Sequence, residues 1–217
     1  MEQLILCFEI IGVISFALAG AMTGLRKGMD IFGVCVLGLT TAVGGGIVRD
    51  LILGQTPPAA FRDPVSVLTA IGVSIVVFIP AVRRIFYRNR RLYELVLLWA
   101  DSVGLGIFAV CGVRVAMETG YADNPFLAVF VGALTGVGGG VLRDMFAGDR
   151  PYIFVKHVYA CAALLGAVAC TFLWPVLGRN GAMLMGFGVV LVMRLCSAHF
   201  RWSLPHSPQL EEEKNAS

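Results

Sequence analysis

Seven apolar runs, separated by short connections, constrain this sequence more than any other feature. Each run is about as long as the roughly 17 to 25 residues that a helix needs to cross a bilayer. Of the 217 residues, 58% are hydrophobic and only 14% are charged, which is too few charges for a soluble domain. The sequence therefore predicts an all-α membrane protein with seven transmembrane helices, at residues 4–24, 30–53, 64–82, 92–113, 125–147, 152–174 and 181–200.

Basic residues in the connections predict how these helices are oriented. Lys and Arg in short loops favour the cytoplasmic side, and the connection RRIFYRNRR at residues 83–91 contains five arginines. Arg26 and Lys27 would lie on the same side, and the acidic connection 117–125 would lie outside. We therefore expect one transmembrane domain over residues 1–203 with its N-terminus outside, followed by a polar cytoplasmic tail at residues 204–217.

An internal repeat organises the transmembrane domain. TAVGGGIVRD at residues 41–50 matches TGVGGGVLRD at residues 135–144, 94 positions later, and the same offset aligns Pro57 with Pro151. Repeat one (3–82) and repeat two (92–174) would each contain three helices. Because three is an odd number, the second copy enters the membrane in the opposite direction, so we expect an inverted repeat with helix seven (181–200) appended.

Each repeat carries a glycine triplet in its second helix, and the six residues are Gly44, Gly45, Gly46, Gly138, Gly139 and Gly140. An interior glycine costs a helix about 1 kcal/mol relative to alanine. Close helix packing needs glycine on one face, whereas a triplet covers nearly a whole turn. We therefore expect a kink or an unwound segment at each triplet, beside a cavity or pore that Thr41 and Thr135 also border. Close packing is the alternative explanation.

Charged residues inside the apolar runs form a second candidate site, which consists of Glu9, Arg49, Asp50, Asp101, Arg143 and Asp144. Charges in a membrane are costly and usually face the interior of the helix bundle. Their depths predict a pair between Glu9 and Arg49 in the outer half and one between Asp101 and Arg143 in the inner half, with the other two aspartates adjacent. The arginines would hold helices together or contact a permeating ion, and Glu9 and Asp101 are the better candidates to face a cation.

The patterns of other functional classes are missing from the sequence. All six cysteines lie inside apolar runs without the spacing of a metal site. No Ser/His/Asp arrangement and no phosphate-binding loop followed by lysine occurs, so we expect neither an enzyme nor a cofactor. The only metal expected is a transient permeant cation. No aromatic and basic pattern of a nucleic-acid module occurs, so nucleic acid is not an expected partner.

The seven apolar runs, the inverted repeat and the doubled GGG-x-x-R-D motif resemble the prokaryotic branch of the trimeric intracellular cation channel family, which is also described as a glycine-transporter domain family. The resemblance covers about residues 3–200. It implies a homotrimer in the lipid of the prokaryotic cytoplasmic (inner) membrane. Each protomer would conduct monovalent cations, chiefly potassium, between bent helices two and five, and the two triplets would be the hinge glycines. Animal members carry Lys-Glu-Val where this chain has glycine, so phosphoinositide regulation is not implied.

The residues alone leave two transport functions open. In a channel, carbonyl groups near Val43 and Val137 would face the ion, while Glu9 and Asp101 would keep the local potential negative. In a small amino-acid (glycine) transporter, the same broken helices would present amide groups to a carboxylate. A structural scaffold is disfavoured by the duplicated charges inside the membrane. The resemblance favours the channel.

Overall fold

A computed structural model describes residues 2–155, 158–200 and 202, and every regular element within these residues is helical. The predicted tail at residues 204–217 lies outside the described residues. In chain order the elements are α1 (Glu2–Arg26), α2 (Ile31–Ile52), α3 (Ala59–Arg62), α4 (Val65–Phe78), α5 (Pro80–Arg88), α6 (Arg90–Ala116), a π-helical turn (Met117–Tyr121), α7 (Pro125–Phe146), α8 (Tyr152–Val155) and α9 (Val158–His199).

Four long helices agree with the predicted runs to within three residues at either end, namely α1, α2, α6 and α7. Together with α9 they are the five helices of the described chain that are long and apolar enough to cross a membrane. A sixth candidate is the pair of α4 and α5, which is bent by 73°. By length and composition alone these helices give five spans, or six with the bent pair, so this count does not by itself confirm the seven expected.

The predicted third helix ends earlier than expected, at Phe78 rather than residue 82. Ile79 has an extended backbone (φ −53°, ψ 132°), because a residue before proline is pushed out of the helical region. Pro80 then begins α5, so most of the arginine-rich connection 83–91 is helical. The connection is therefore helical, which the sequence analysis did not predict.

The longest helix, α9, folds back on itself. Its 42 residues would extend about 63 Å at about 1.5 Å per residue, roughly twice the hydrocarbon thickness. Gly178 interrupts it with φ 67° and ψ 176°. A Cβ on Gly186 would lie 2.8 Å from Cys170 Cβ and 2.7 Å from the carbonyl oxygen of Gly166. The arms on either side of Gly178 are therefore antiparallel neighbours, and they occupy the positions predicted for helices six and seven.

The two repeats have equivalent internal contacts. α1, α2 and α4 pack on one another, α6, α7 and α9 do the same, and the repeats meet where α1 contacts α6 and α2 contacts α7. Local details are duplicated as well. Asp30 and Asn124 cap α2 and α7 by accepting hydrogen bonds from backbone N–H groups, and a glycine with φ of 69° follows each of these helices. The predicted three-helix repeat is confirmed.

The second repeat is inverted relative to the first. A Cβ on Gly45 would collide with the carbonyl oxygen of Thr135, and a Cβ on Gly139 would collide with that of Thr41. Position 45 therefore lies opposite 135, and position 41 lies opposite 139, which requires α2 and α7 to run antiparallel. The pairing is also symmetric, so a pseudo-twofold axis passes through this crossing.

Candidate ion pathway at the crossing of the repeats

The glycine triplets lie where α2 and α7 cross, and both helices are continuous through them. Of the two forms of break that we expected, a kink or an unwound segment, the unwound segment is therefore wrong. Gly45 and Gly139 bring the two backbones together, and a Cβ on Gly138 would lie 3.1 Å from the Cα of Gly45. Only a residue without a side chain allows such an approach. Close packing, the alternative explanation, accounts for these glycines.

The remaining triplet glycines have different surroundings. A Cβ on Gly44 would collide with Leu142, and one on Gly140 would lie 2.6 Å from the hydroxyl of Tyr159. A Cβ on Gly46 would meet only the guanidinium of Arg49, at 3.7 Å. That distance is an ordinary contact. Packing against different neighbours therefore explains five of the six triplet glycines, and Gly46 is the exception.

Two buried threonines stand beside the crossing. The hydroxyls of Thr41 and Thr135 donate hydrogen bonds to the carbonyl groups one turn earlier, each at 2.6 Å. They lie against Gly20 of α1 and Gly112 of α6. Their side chains are therefore held between helices of one repeat, whereas their backbone carbonyls face the glycines of the other repeat.

A phenylalanine closes the crossing from one side. The ring of Phe16 would lie 3.0 Å from a Cβ on Gly139 and would collide with one on Gly104. Its centroid is 5.2 Å from that of Phe108, the residue that aligns with Phe16 in the repeat. These two rings pack next to the pseudo-twofold axis, so the centre of the molecule is filled by apolar side chains and glycine backbone.

The Arg-Asp motif ties the end of a long helix to the start of a short one. Arg49 Nε donates to Asp50 Oδ1 at 2.8 Å, and the other oxygen of Asp50 accepts from the backbone N–H of Ala59 at 2.7 Å. The same contacts recur, at 2.9 Å each, among Arg143, Asp144 and Tyr152. Both aspartates thus cap the element that follows, which gives the motif a structural role.

Charges of the second repeat converge on Asp101. Its two oxygens lie 2.7 Å from Arg143 Nη1 and 3.4 Å from Arg194 Nη2, and the Tyr159 hydroxyl donates to it at 3.3 Å. We name these four residues the Asp101 cluster. All of them are buried, and Arg143 also lies over the ring of Tyr152. The predicted pair of Asp101 and Arg143 is confirmed, and in this conformation Asp101 is occupied by protein groups.

Sequence reasoning missed Arg194 and Tyr159. Both lie on α9, outside the repeated motif, and Arg194 sits over the ring of Tyr159 at 4.8 Å. A signal for Arg194 was present, because it is the only charged residue in the apolar run 181–200. Tyr159 had no such signal.

The predicted pair of Glu9 and Arg49 is wrong. Glu9 Oε1 lies 2.6 Å from Arg114 Nη2, so its partner is on α6 rather than on α2. The face of α1 explains this choice: Gly12, one turn after Glu9, packs against Ile107 and Phe108 of α6. Similar predicted depth did not place Glu9 beside Arg49, because Glu9 meets Arg114 and Arg49 meets Asp50 instead.

The two motif arginines consequently have unequal environments. Among the described residues Arg143 pairs with two carboxylates, and Arg49 pairs with one, that of Asp50. Side-chain exposure is 10% for Arg49 and 2% for Arg143. The first repeat therefore holds its motif arginine less tightly. No group of three His, Cys, Asp or Glu side chains in the described part of the chain is placed to hold a metal ion.

The sequence of this chain is similar to that of known membrane proteins. A family model described as a glycine transporter matches residues 6–81 and 98–175, one segment in each repeat. A UPF0126 membrane protein of Deinococcus radiodurans is 40% identical over 87% of this chain and 85% of its own length. The UPF0126 inner membrane protein YadS of Escherichia coli is 34% identical over 94% of this chain and 96% of its own.

Solved structures share the whole architecture. A prokaryotic TRIC channel crystallised in 0.5 M KCl superposes with a TM-score of 0.84 at 33% identity, over 94% of this chain and all of its own. The trimeric intracellular cation channel orthologue from Rhodobacter sphaeroides has a TM-score of 0.80 at 36% identity, over 92% of this chain and all of its own. The chain belongs to the trimeric intracellular cation channel family. The solved family members are ion channels rather than enzymes, and this family member is an integral membrane protein.

Proposed function

We propose that the chain is a cation channel in which each protomer contains its own pathway, at the crossing of α2 and α7. The observation that carries this proposal is the likeness to solved cation channels over more than nine tenths of the chain, at 33–36% identity. The antiparallel glycine crossing at the pseudo-twofold axis supports the location. In inverted-repeat membrane proteins, a transport site lies near the midplane between the repeats.

Backbone oxygens are the ion ligands that this crossing offers. The carbonyls of Thr41 and Thr135 face Gly139 and Gly45 across the interface, and these glycines contribute no side chain there. A helical carbonyl keeps a second lone pair for another partner. Carbonyl oxygens replace the hydration of monovalent cations in channels, so we propose potassium and similar monovalent cations as the permeant ions.

We further propose that the conformation described here is closed. Gly45 and Gly139 hold the two backbones in contact, and the Phe16 ring packs against the same point. Conduction would require α2 and α7 to separate and Phe16 to move aside. The weaker fixation of Arg49, with a single carboxylate partner among the described residues, favours α2 as the helix that moves.

The assembly and topology follow the same proposal. We propose a homotrimer in a prokaryotic inner membrane, with seven spans of which α9 supplies two, and with the arginine-rich helix α5 on the cytoplasmic side. The N-terminus would then be outside and the C-terminus inside. Large apolar side chains exposed on the outer faces, such as Phe32, Phe126 and Phe172, would contact lipid or the other protomers.

A planar bilayer experiment tests the function. Purified protein under a potassium gradient should give unitary ohmic currents that reverse at the potassium equilibrium potential. Gly45→Ala protein should insert but have a lower unitary conductance, because in the open pathway its methyl group would cover the Thr135 carbonyl that we propose as an ion ligand. Saturable glycine uptake into liposomes without unitary currents would instead establish the transporter function and refute the channel.

A further inference from the structure

A cavity of about 430 Å³ opens at the arginine-rich end of the molecule. It lies between the last turn of α1, α5 and the first turn of α6, away from the glycine crossing. Its charged lining consists of Arg26, Arg83, Arg90 and Glu94, and Tyr93 forms part of the wall. We name this space the basic cavity. Nothing in the proposed conduction pathway uses it.

The charges of the basic cavity are not balanced. Glu94 pairs with Arg90 at 2.9 Å, and Arg26 shares Asp149 with Lys27. Among the described residues no carboxylate lies within ion-pair distance of Arg83. The guanidinium of Arg83 rests over the ring of Phe78 at 5.5 Å, which holds it in place without neutralising it. A ligand with negative charge would compensate this excess.

The remaining lining is apolar and consists of Met22, Leu25 and Phe86. The cavity therefore combines a cationic rim with a hydrophobic wall. A small hydrated anion would gain nothing from that wall, whereas an amphiphile would use both surfaces.

The position of α5 near the membrane plane indicates that the amphiphile is a membrane lipid. This helix is bent by 73° from the membrane-spanning helix α4, so it runs close to the membrane plane if α4 crosses the bilayer. Arg84 and Arg88 are exposed on it beside Ile85, which is 55% exposed. Basic and apolar side chains side by side on a short helix are typical of segments that lie in the headgroup region. Clusters of four to eight basic residues at this place bind anionic lipid.

We propose that the basic cavity binds the phosphate group of an anionic phospholipid from the leaflet that contacts α5. Arg83 is the main phosphate contact, and Arg26 and Arg90 flank it. Phe86, Met22 and Leu25 cover the glycerol and upper acyl carbons. The bound lipid would link α5 to α1 and α6, and the site is independent of whether the protein conducts ions.

Native mass spectrometry of the full-length protein in mild detergent tests this site. Dioleoyl phosphatidylglycerol is the probe, and dioleoyl phosphatidylcholine is the uncharged-headgroup control. The matched variants are Arg83→Gln, which removes a cavity charge, and Arg84→Gln, which removes an exposed charge from the same helix outside the cavity. We expect phosphatidylglycerol to bind more tightly than phosphatidylcholine, and Arg83→Gln to weaken it about fivefold, while Arg84→Gln changes binding little.

A second pair of variants keeps the test valid if the Arg83→Gln protein misfolds. Arg90 lines the cavity and its side chain is 91% exposed, so Arg90→Gln leaves packing intact, and Arg91→Gln is its control outside the cavity. Equal effects of the cavity and control variants would mean a diffuse attraction to the membrane surface and would overturn the site. Equal binding of the two lipids would also overturn it. Competition by millimolar glycerol phosphate as strong as by the lipid would identify a free phosphate compound as the ligand and refute the lipid.

Discussion

Charged side chains within the long helices of this protein meet partners of opposite sign. Asp101 holds two arginines and a tyrosine hydroxyl, and Glu9 holds Arg114. The two acids differ in exposure, since the side chain of Asp101 is 2% exposed and that of Glu9 is 39% exposed. Their contributions to stability should therefore differ.

Replacing Asp101 by asparagine should lower the free energy of unfolding by about 3 kcal/mol, because two buried guanidinium groups lose their shared counter-charge. Glu9→Gln is the matched control and should cost about 1 kcal/mol or less, since its pair is open to screening. Chemical denaturation of the detergent-solubilised protein measures both values. Equal losses would show that the Asp101 cluster contributes no more than a surface pair.

A double-mutant cycle should couple Glu9 with Arg114 and not with Arg49. With Glu9→Gln and Arg114→Gln we expect a coupling energy of about 0.5 to 1 kcal/mol, as found for residues in direct contact. The same cycle with Arg49→Gln should be additive, because Arg49 contacts Asp50 instead. Unfolding free energies of the four proteins in each cycle provide the measurement. Coupling of Glu9 to Arg49 would mean that the two helices pack differently.

Helices α2 and α7 are continuous despite three consecutive glycines in each. Glycine has a low helix propensity, but here the close approach of two long apolar helices offsets this cost. The approach removes backbone from contact with lipid and packs it densely. The same approach brings backbone carbonyls of both helices to the centre of the molecule. The glycines allow α2 and α7 to pack closely, and the proposed pathway lies along the surface where they pack.

Alanine substitutions within one triplet should separate these roles. Gly45→Ala should destabilise the protein by about 1 to 3 kcal/mol through overpacking, because its Cβ would collide with Thr135. Gly46→Ala should be neutral or stabilising by up to about 1 kcal/mol, since its Cβ finds only an ordinary contact. Unitary conductance should fall for the first variant and stay near the parent level for the second. Equal changes in stability and in unitary conductance for the two variants would refute the proposed role of the crossing.

The whole molecule is a pseudo-symmetric pair of repeats with one asymmetric addition. The second arm of α9 has no counterpart in the first repeat, and its Arg194 joins the Asp101 cluster. The second repeat is therefore fixed by charges on three long helices, α6, α7 and α9. The first repeat lacks such an addition, which makes it the more mobile half in our proposal.

Membrane topology provides a prediction at this scale. In a protein whose native cysteines are replaced, the Arg88→Cys variant should be protected from an impermeant maleimide in intact cells. The Asp123→Cys variant should react. The positive-inside rule is the physical reason. Labelling after permeabilisation is the control and should reach both sites. Labelling of position 88 but not of position 123 in intact cells would reverse the proposed orientation.

The sequence by itself determined the features that depend on local pattern. Apolar length predicted the bounds of α1, α2, α6 and α7, because the bilayer requires a minimum run of residues that bury their backbone groups in helices. The offset between the two GGG-x-x-R-D motifs predicted the inverted repeat, because three helices must reverse the direction of entry. The pair of Asp101 and Arg143 followed from the repeat as well.

Only the tertiary structure decided which faces of these helices meet. It assigned Glu9 to Arg114, brought Arg194 and Tyr159 to Asp101, and set Gly45 against Thr135 rather than in an unwound segment. Depth along the membrane normal can be estimated from sequence position, but rotation about each helix axis results from the packing of all neighbouring side chains together. Contacts that depend on that rotation, including the glycine crossing and the basic cavity, therefore required the folded arrangement.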